Sequence, residues 1–327
     1  MRKTVHLCLS SHDEVMYRDE ADLIMGFNCL ALAVLETESR LLAEGFMTTH
    51  SHNLVQTDCY KEVMYRSRYA YARYFNTKYQ RSGALGEKKY FVLEVEGLFH
   101  TTAALNYILR QGLHHGLSST PFEYPHCSAN SFFRKELGKR EKPRLIPDSL
   151  RHIHLPRNKS LPADKYRMTD SGLLLREDII DTAYVEEIYV SPRNFLFQMN
   201  KISSERDNDD QRQENNTPPV TVEVIEAGVP DFDARQVKTF EQGRVDRNRM
   251  TDLELCSVVD GQIVPRYSKH GRPASIYQLT ESERARICET LWQECRLTRY
   301  RRDAQRYLSG KYVTEAQLRR CLIIHPR

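Results

Sequence analysis

The order of apolar and polar positions in the first part of the chain already predicts a fold. KTVHLCLSS reads as a strand, and RDEADLIMGFNCLALAVLETES carries apolar residues at helical spacing. Two short strand-like runs follow, EGFMT and HNLVQT, and then a tyrosine-rich basic helix from about Tyr60 to Tyr79. YFVLEVE alternates as a strand does, and TTAALNYILRQGLHHG reads as a helix with Thr101 as its N-cap and Gly112 as its C-terminal stop. The order β-α-β-β-α-β-α predicts an α+β fold, a ferredoxin-like antiparallel sheet with helices packed on one face.

The pattern weakens further along. Residues 203–219, SSERDNDDQRQENNTPP, have no aromatic or aliphatic side chain and cannot bury a core, so a disordered linker or loop is expected there. It divides an N-terminal unit, 1–137, and an extension, 138–202, from a mixed and largely helical C-terminal region, 220–327. A softer break lies at GKREKPRLIPDS. Near the end, Thr280 with Glu283 and Thr314 with Gln317 have capping-box spacing. Two helices parted by Ser309 and Gly310 would suit either a helix-turn-helix DNA binder or a plain helical subdomain with an arginine-rich solvated face.

Composition narrows the class. A chain of 327 residues exceeds one ordinary core, which points to roughly two domains. The eight cysteines form no CxxC pair, so free thiols are expected. With no apolar run of about 20 residues and no signal-peptide pattern at the start, the expected location is cytoplasmic and nucleoid-associated, without a membrane partner. No GxxxxGK[ST] loop is present, so no nucleotide cofactor is expected. The net charge is only +4, but residues 58–90 hold eight Lys/Arg against three Asp/Glu, and a second basic cluster centres on RLTRYRRDAQR.

Two constellations carry chemistry. His50 and His52 are two apart, so in extended backbone both imidazoles leave the same face and could share one divalent ion; two unremarkable strand histidines are the plain alternative. Tyr107 and Gln111 are four apart, adjacent on one helix face. Leu105, Ile108 and Leu109 mark the apolar face, and Tyr107 points roughly opposite its centre, where a tyrosine is either functional or packed against a loop. On the basic helix, Lys61, Arg66, Arg68, Arg73, Lys78 and Arg81 could neutralise phosphates while some of Tyr65, Tyr69, Tyr71 and Tyr74 stack on bases. Tyr65 and Tyr69 lie on one face while others in the run are expected in the core, so fewer than half of the tyrosines are assigned to DNA. A solvated amphipathic helix is the alternative.

From about Val5 to Phe133 the chain resembles the single-tyrosine HUH transposases, especially the REP-associated tyrosine transposases. The matching segments run in order through GFMTTHSHNLVQ, YARYFNTKYQRSGAL, the tyrosine-bearing helix, and HHGLSSTPFEYPHCSANSFF. The resemblance implies His50, His52 and Gln111 as ligands of Mg²⁺ or Mn²⁺ and Tyr107 as the nucleophile. It further implies a metal-dependent single-stranded DNA endonuclease and strand transferase, forming a 5′-phosphotyrosine on hairpin or repeat DNA. Relatives that work as dimers exchange their tyrosine helices, which allows a homodimer. Two positions depart from the pattern: Ser51 stands where a hydrophobic residue is usual, and RQGLHHG replaces an asparagine-proline sequence, bringing His114 within reach of the ion. Both keep open a second reading, a catalytically degenerate, domesticated DNA-binding regulator.

Overall fold

A computed structural model describes residues 2–11, 14–115, 117–118, 120–139, 142–155, 165–199, 252–268, 275–280, 282–284 and 286–287. The expected linker, VTVEVIEAG, the RLTRYRRDAQR cluster and the Thr314–Gln317 pair lie outside the described residues.

The predicted order of elements is present: β1 (Lys3–Ser10), α1 (Glu20–Glu36), β2 (Arg40–Phe46), β3 (His50–Thr57), α2 (Tyr60–Lys78), β4 (Phe91–Val95) and α3 (Gly97–Leu109). The strands form one antiparallel sheet in the order β2-β3-β1-β4, the arrangement of a split βαβ unit. Asp19 caps α1 by accepting from the Asp22 amide.

Two expectations need correction. The sheet is covered on both faces, not one. Alternation along β1 and β3 sends Leu9, Ser51 and Asn53 toward α1 and α2, while His6, His50 and His52 face the other side, where α3 lies. Gly45, paired with His52, lets α3 close in: a Cβ there would stand 3.2 Å from the Ile108 carbonyl oxygen. The second correction concerns the ends of α3. Glu96 is the N-cap, and Thr101 sits inside the helix with its hydroxyl on the Gly97 carbonyl. The helix stops at Leu109, and Gly112 falls within a following four-residue turn, α4 (Gln111–His114).

Beyond α4 the chain returns to the same core. The short helices α5 (Arg151–His154) and α6 (Arg176–Ile179) precede α7 (Thr182–Tyr189) and α8 (Pro192–Met199). Arg176 ion-pairs with Glu44 of β2, both buried, and the Tyr189 hydroxyl reaches Asn106 of α3 at 2.7 Å. The extension thus braces β2 and α3. The next described helix, α9 (Asp252–Val258), belongs to a smaller cluster in which Val15 packs with Cys256, Val259, Ile263 and Ile276. Arg18 meets Asp260 through two hydrogen bonds of 2.9 Å, so this part of the C-terminal region docks beside α1. Thr280 and Glu283 make the reciprocal bonds of a capping box.

Candidate functional site

The site is assembled from β1, β3, α3 and α4. Strand alternation puts His50 and His52 on one face, and the antiparallel register sets Cys8 opposite His52 and Ser10 opposite His50. Helix α3 delivers Tyr107 onto that face. Its ring meets the His52 ring edge-on, with centroids 5.0 Å apart and planes at 89°. One turn later Gln111 hydrogen-bonds His50, donates its amide nitrogen to the Tyr107 carbonyl at 3.1 Å, and holds its oxygen 3.1 Å from His115 Nε2. The four residues singled out for catalysis and metal binding therefore sit in one cluster.

That cluster is dry. His52 and Gln111 are fully buried, and Tyr107 is only 2% exposed. Tyr107 thus points into the packed interior between α3 and the sheet, not away from the apolar side as helix geometry alone predicts. Burial dominates the titration of the imidazoles: it lowers His50 to about 3, lowers His52 well below the usual range, and brings His114 down to about 2. All are neutral near pH 7, the protonation state a metal ligand needs.

Sequence reasoning missed two members. His6, from the centre of β1, places its Nε2 3.0 Å from His52 Nδ1, and His115 is the imidazole at the Gln111 oxygen. His114 lies nearer Tyr107, their rings 6.4 Å apart. A signal for His6 was present: His6, Cys8 and Ser10 alternate with the aliphatic Val5, Leu7 and Leu9, marking a polar stripe on one face of the strand. Ser51 points to the opposite face, where it hydrogen-bonds the buried Tyr17 hydroxyl. A polar contact thus anchors the histidine strand where an apolar side chain was expected.

A metal would find a partial but fitting donor set. Among the described residues no group of three or more His, Cys, Asp or Glu side chains is placed to hold an ion. A three-ligand set here needs the Gln111 amide oxygen. The strongest sign of an open coordination position is His52 Nε2, a buried nitrogen without a hydrogen-bond partner.

The six cations proposed for DNA separate sharply. Arg81 is buried in an ion pair with Glu14 at 2.7 Å, Lys78 is held by Asp19 and Asp22, and Arg68 donates to the carbonyls of Leu85, Gly86 and Lys88. Arg66 is exposed but paired with Glu36 and Glu62. These four side chains use their charge on partners within the protein, and apart from Arg66–Glu62, one turn apart on α2, those partners lie outside the helix, where spacing along it could not foresee them. Lys61 and Arg73 are exposed, and Arg73 lies over the Tyr69 ring at 5.7 Å. Tyr65 and Tyr69 are 63% and 54% exposed and stacked at 5.9 Å, whereas Tyr71 is in the core. Lys61, Tyr65, Tyr69 and Arg73 thus form one outward stripe at successive four-residue steps. It lies across the sheet from the histidines.

No family model matches the chain, and no curated sequence does. Among solved structures, one similar to it is described as a REP-associated tyrosine transposase bound to a REP hairpin. The identity is 10% and the TM-score 0.33, over 43% of this chain and 82% of that one. At that score the likeness carries neither fold nor activity. Among the described residues no helix is long and apolar enough to cross a membrane.

Proposed function

We propose that the chain is a single-tyrosine nuclease and strand transferase acting on single-stranded DNA, hairpin or repeat DNA in particular, with Tyr107 as nucleophile. The observation that carries this reading is the convergence of Tyr107, His50, His52 and Gln111 from separate elements, with His52 Nε2 left without a partner. A divalent ion such as Mg²⁺ or Mn²⁺ held by His50, His52 and Gln111 would polarise the scissile phosphate.

The chain's own groups supply the remainder. The Tyr107 oxygen attacks phosphorus, its bond to the 3′ oxygen breaks, and the departing hydroxyl takes up the proton that the phenol gives up. A 5′-phosphotyrosine and a free 3′-hydroxyl result, so one phosphoester is exchanged for another and rejoining needs no nucleotide. Gln111 ties ligand to nucleophile, because its amide holds the Tyr107 backbone on one side and His50 on the other. Neutral imidazoles packed around Tyr107 exclude water from the attack. With Tyr107 2% exposed, a DNA strand reaches it only after the packing around its ring opens. Lys61, Tyr65, Tyr69 and Arg73 would hold a separate stretch of strand by phosphate contact and stacking.

A second reading, a DNA-binding regulator that has lost catalysis, is favoured by the same closure of the site. The two separate on cleavage of a labelled hairpin with single-stranded flanks in Mg²⁺ or Mn²⁺. Nuclease activity predicts a product with a free 3′-hydroxyl, lost in His50→Ala and His52→Ala and absent on duplex DNA. Binding without cleavage under every metal condition would overturn it in favour of the regulator.

A further inference from the structure

His6 belongs to no ligand set described above, yet it makes the closest contact to one. It sits on the central strand β1, pinned by Leu54 of β3 on one side and Leu93 of β4 on the other, so its backbone has little freedom. The ring is fully buried, packed edge-on against Phe91 at 5.5 Å and 6.0 Å from the Tyr107 ring. Its Nε2 faces His52 Nδ1 at 3.0 Å, while the far nitrogen of each ring, His6 Nδ1 and His52 Nε2, has no hydrogen-bond partner.

Between two neutral imidazoles a single proton makes this bond, and its position decides what His52 can do. If His6 donates, the His52 proton sits on Nε2, where it faces no acceptor and blocks coordination. If His52 donates from Nδ1, its Nε2 lone pair is bare and directed away from His6. Without a cation the two arrangements are close in energy, since each strands one N–H and one lone pair in the interior. A cation at Nε2 stabilises only the second, and it makes the Nδ1 proton more acidic, which strengthens the bond to His6.

We propose that His6 is a positioning residue that accepts a hydrogen bond from His52 Nδ1 and so fixes His52 in the tautomer whose Nε2 binds the divalent ion. The proposal rests on the metal reading of the site. In that reading ligating histidines donate their second nitrogen to a fixed acceptor, and loss of such an acceptor weakens metal binding by roughly 10- to 100-fold. An imidazole serves as that acceptor because carboxylates are absent from this face of β1, where Thr4, His6, Cys8 and Ser10 alternate.

Two measurements test it on the full chain. Imidazole nitrogen NMR shifts of the metal-free and Mn²⁺-free Mg²⁺-loaded protein report which ring nitrogen is protonated, and Mn²⁺ affinity is measured by calorimetry. His52 is expected as the Nδ1–H form in the Mg²⁺-loaded protein. His6→Phe, which keeps the ring and removes the acceptor, should weaken Mn²⁺ by roughly 10- to 100-fold, while His6→Gln, whose amide oxygen reaches the same place, should stay within roughly threefold of wild type. An Nε2–H form of His52 in the loaded wild type overturns the proposal, as does wild-type Mn²⁺ affinity in a folded His6→Phe. A wild-type protein that takes up neither ion overturns the metal reading beneath it, and the proposal falls with it. Should His6→Phe fail to fold, the wild-type tautomer and His6→Gln affinity still decide.

Discussion

Lowering the pH from 7 to 5 should destabilise this protein through its buried histidines. Burial holds His6 and His50 at about 3 and His114 at about 2, with His52 lower than usual as well, against about 6.5 for an exposed imidazole. The folded value lies below the unfolded one, so as pH falls through about 6.5 the unfolded chain takes up protons that the folded chain refuses. The stability these groups contribute is therefore present above about pH 6.5 and drains away toward about pH 3. Between pH 7 and pH 5 each of His6, His50 and His114, taken as independent, costs roughly 2 kcal/mol. Those three together approach roughly 6 kcal/mol, against about 5–15 kcal/mol for the whole stability of an ordinary domain, and His52 acts in the same direction. Asp22 and Glu44, both raised by burial, act with the opposite sign nearer the carboxylate range, so the comparison is made against a variant. Urea unfolding of metal-free wild type and His6→Gln, followed by circular dichroism at pH 7, 6 and 5, isolates one histidine. Near pH 5 the wild-type slope should exceed that of the variant by about 1.4 kcal/mol per pH unit, one proton. Parallel slopes would refute the claim that His6 is buried as a neutral base.

Other perturbations reach the remaining parts of the fold. Arg81→Ala leaves the buried Glu14 carboxylate without its ion-pair partner and should lower stability by about 3–5 kcal/mol, read from thermal or urea unfolding. Gly112→Ala puts a Cβ 2.5 Å from that of Tyr124, so the turn that carries Gln111 must shift; a loss of about 1–3 kcal/mol is expected, with weaker Mn²⁺ binding by calorimetry. Tyr65→Ala and Tyr69→Ala should each leave the melting temperature nearly unchanged, because both rings are exposed. Each should weaken binding of an unpaired oligonucleotide by about 1–3 kcal/mol in fluorescence anisotropy.

What was legible in the sequence follows the range of the interactions. Periodicity found every element of the sheet unit, because strand and helix patterns are local, and the spacing of His50 and His52 fixed their common face for the same reason. The separation of Tyr65 and Tyr69 from Tyr71 was legible too, as a surface stripe against a core stripe on one helix. Long-range pairings were not. Arg81 reads as a basic-helix cation until the fold sets Glu14 against it, 67 positions away in sequence. His6 reads as one polar residue of a strand until antiparallel pairing brings β3 beside it. The placement of α3 on the face opposite α1 and α2 is equally non-local, and that placement is what buries Tyr107 against the histidines.

The central claim is that Tyr107 attacks a DNA phosphate within a site built by His50, His52 and Gln111. Its most direct test is to incubate labelled single-stranded hairpin DNA with wild type and Tyr107→Phe in Mg²⁺ or Mn²⁺ and resolve the products on a denaturing protein gel. A covalent protein–DNA band is expected in wild type and missing from Tyr107→Phe. A band that persists in the variant, or DNA bound by wild type with no covalent band in either metal, would contradict it.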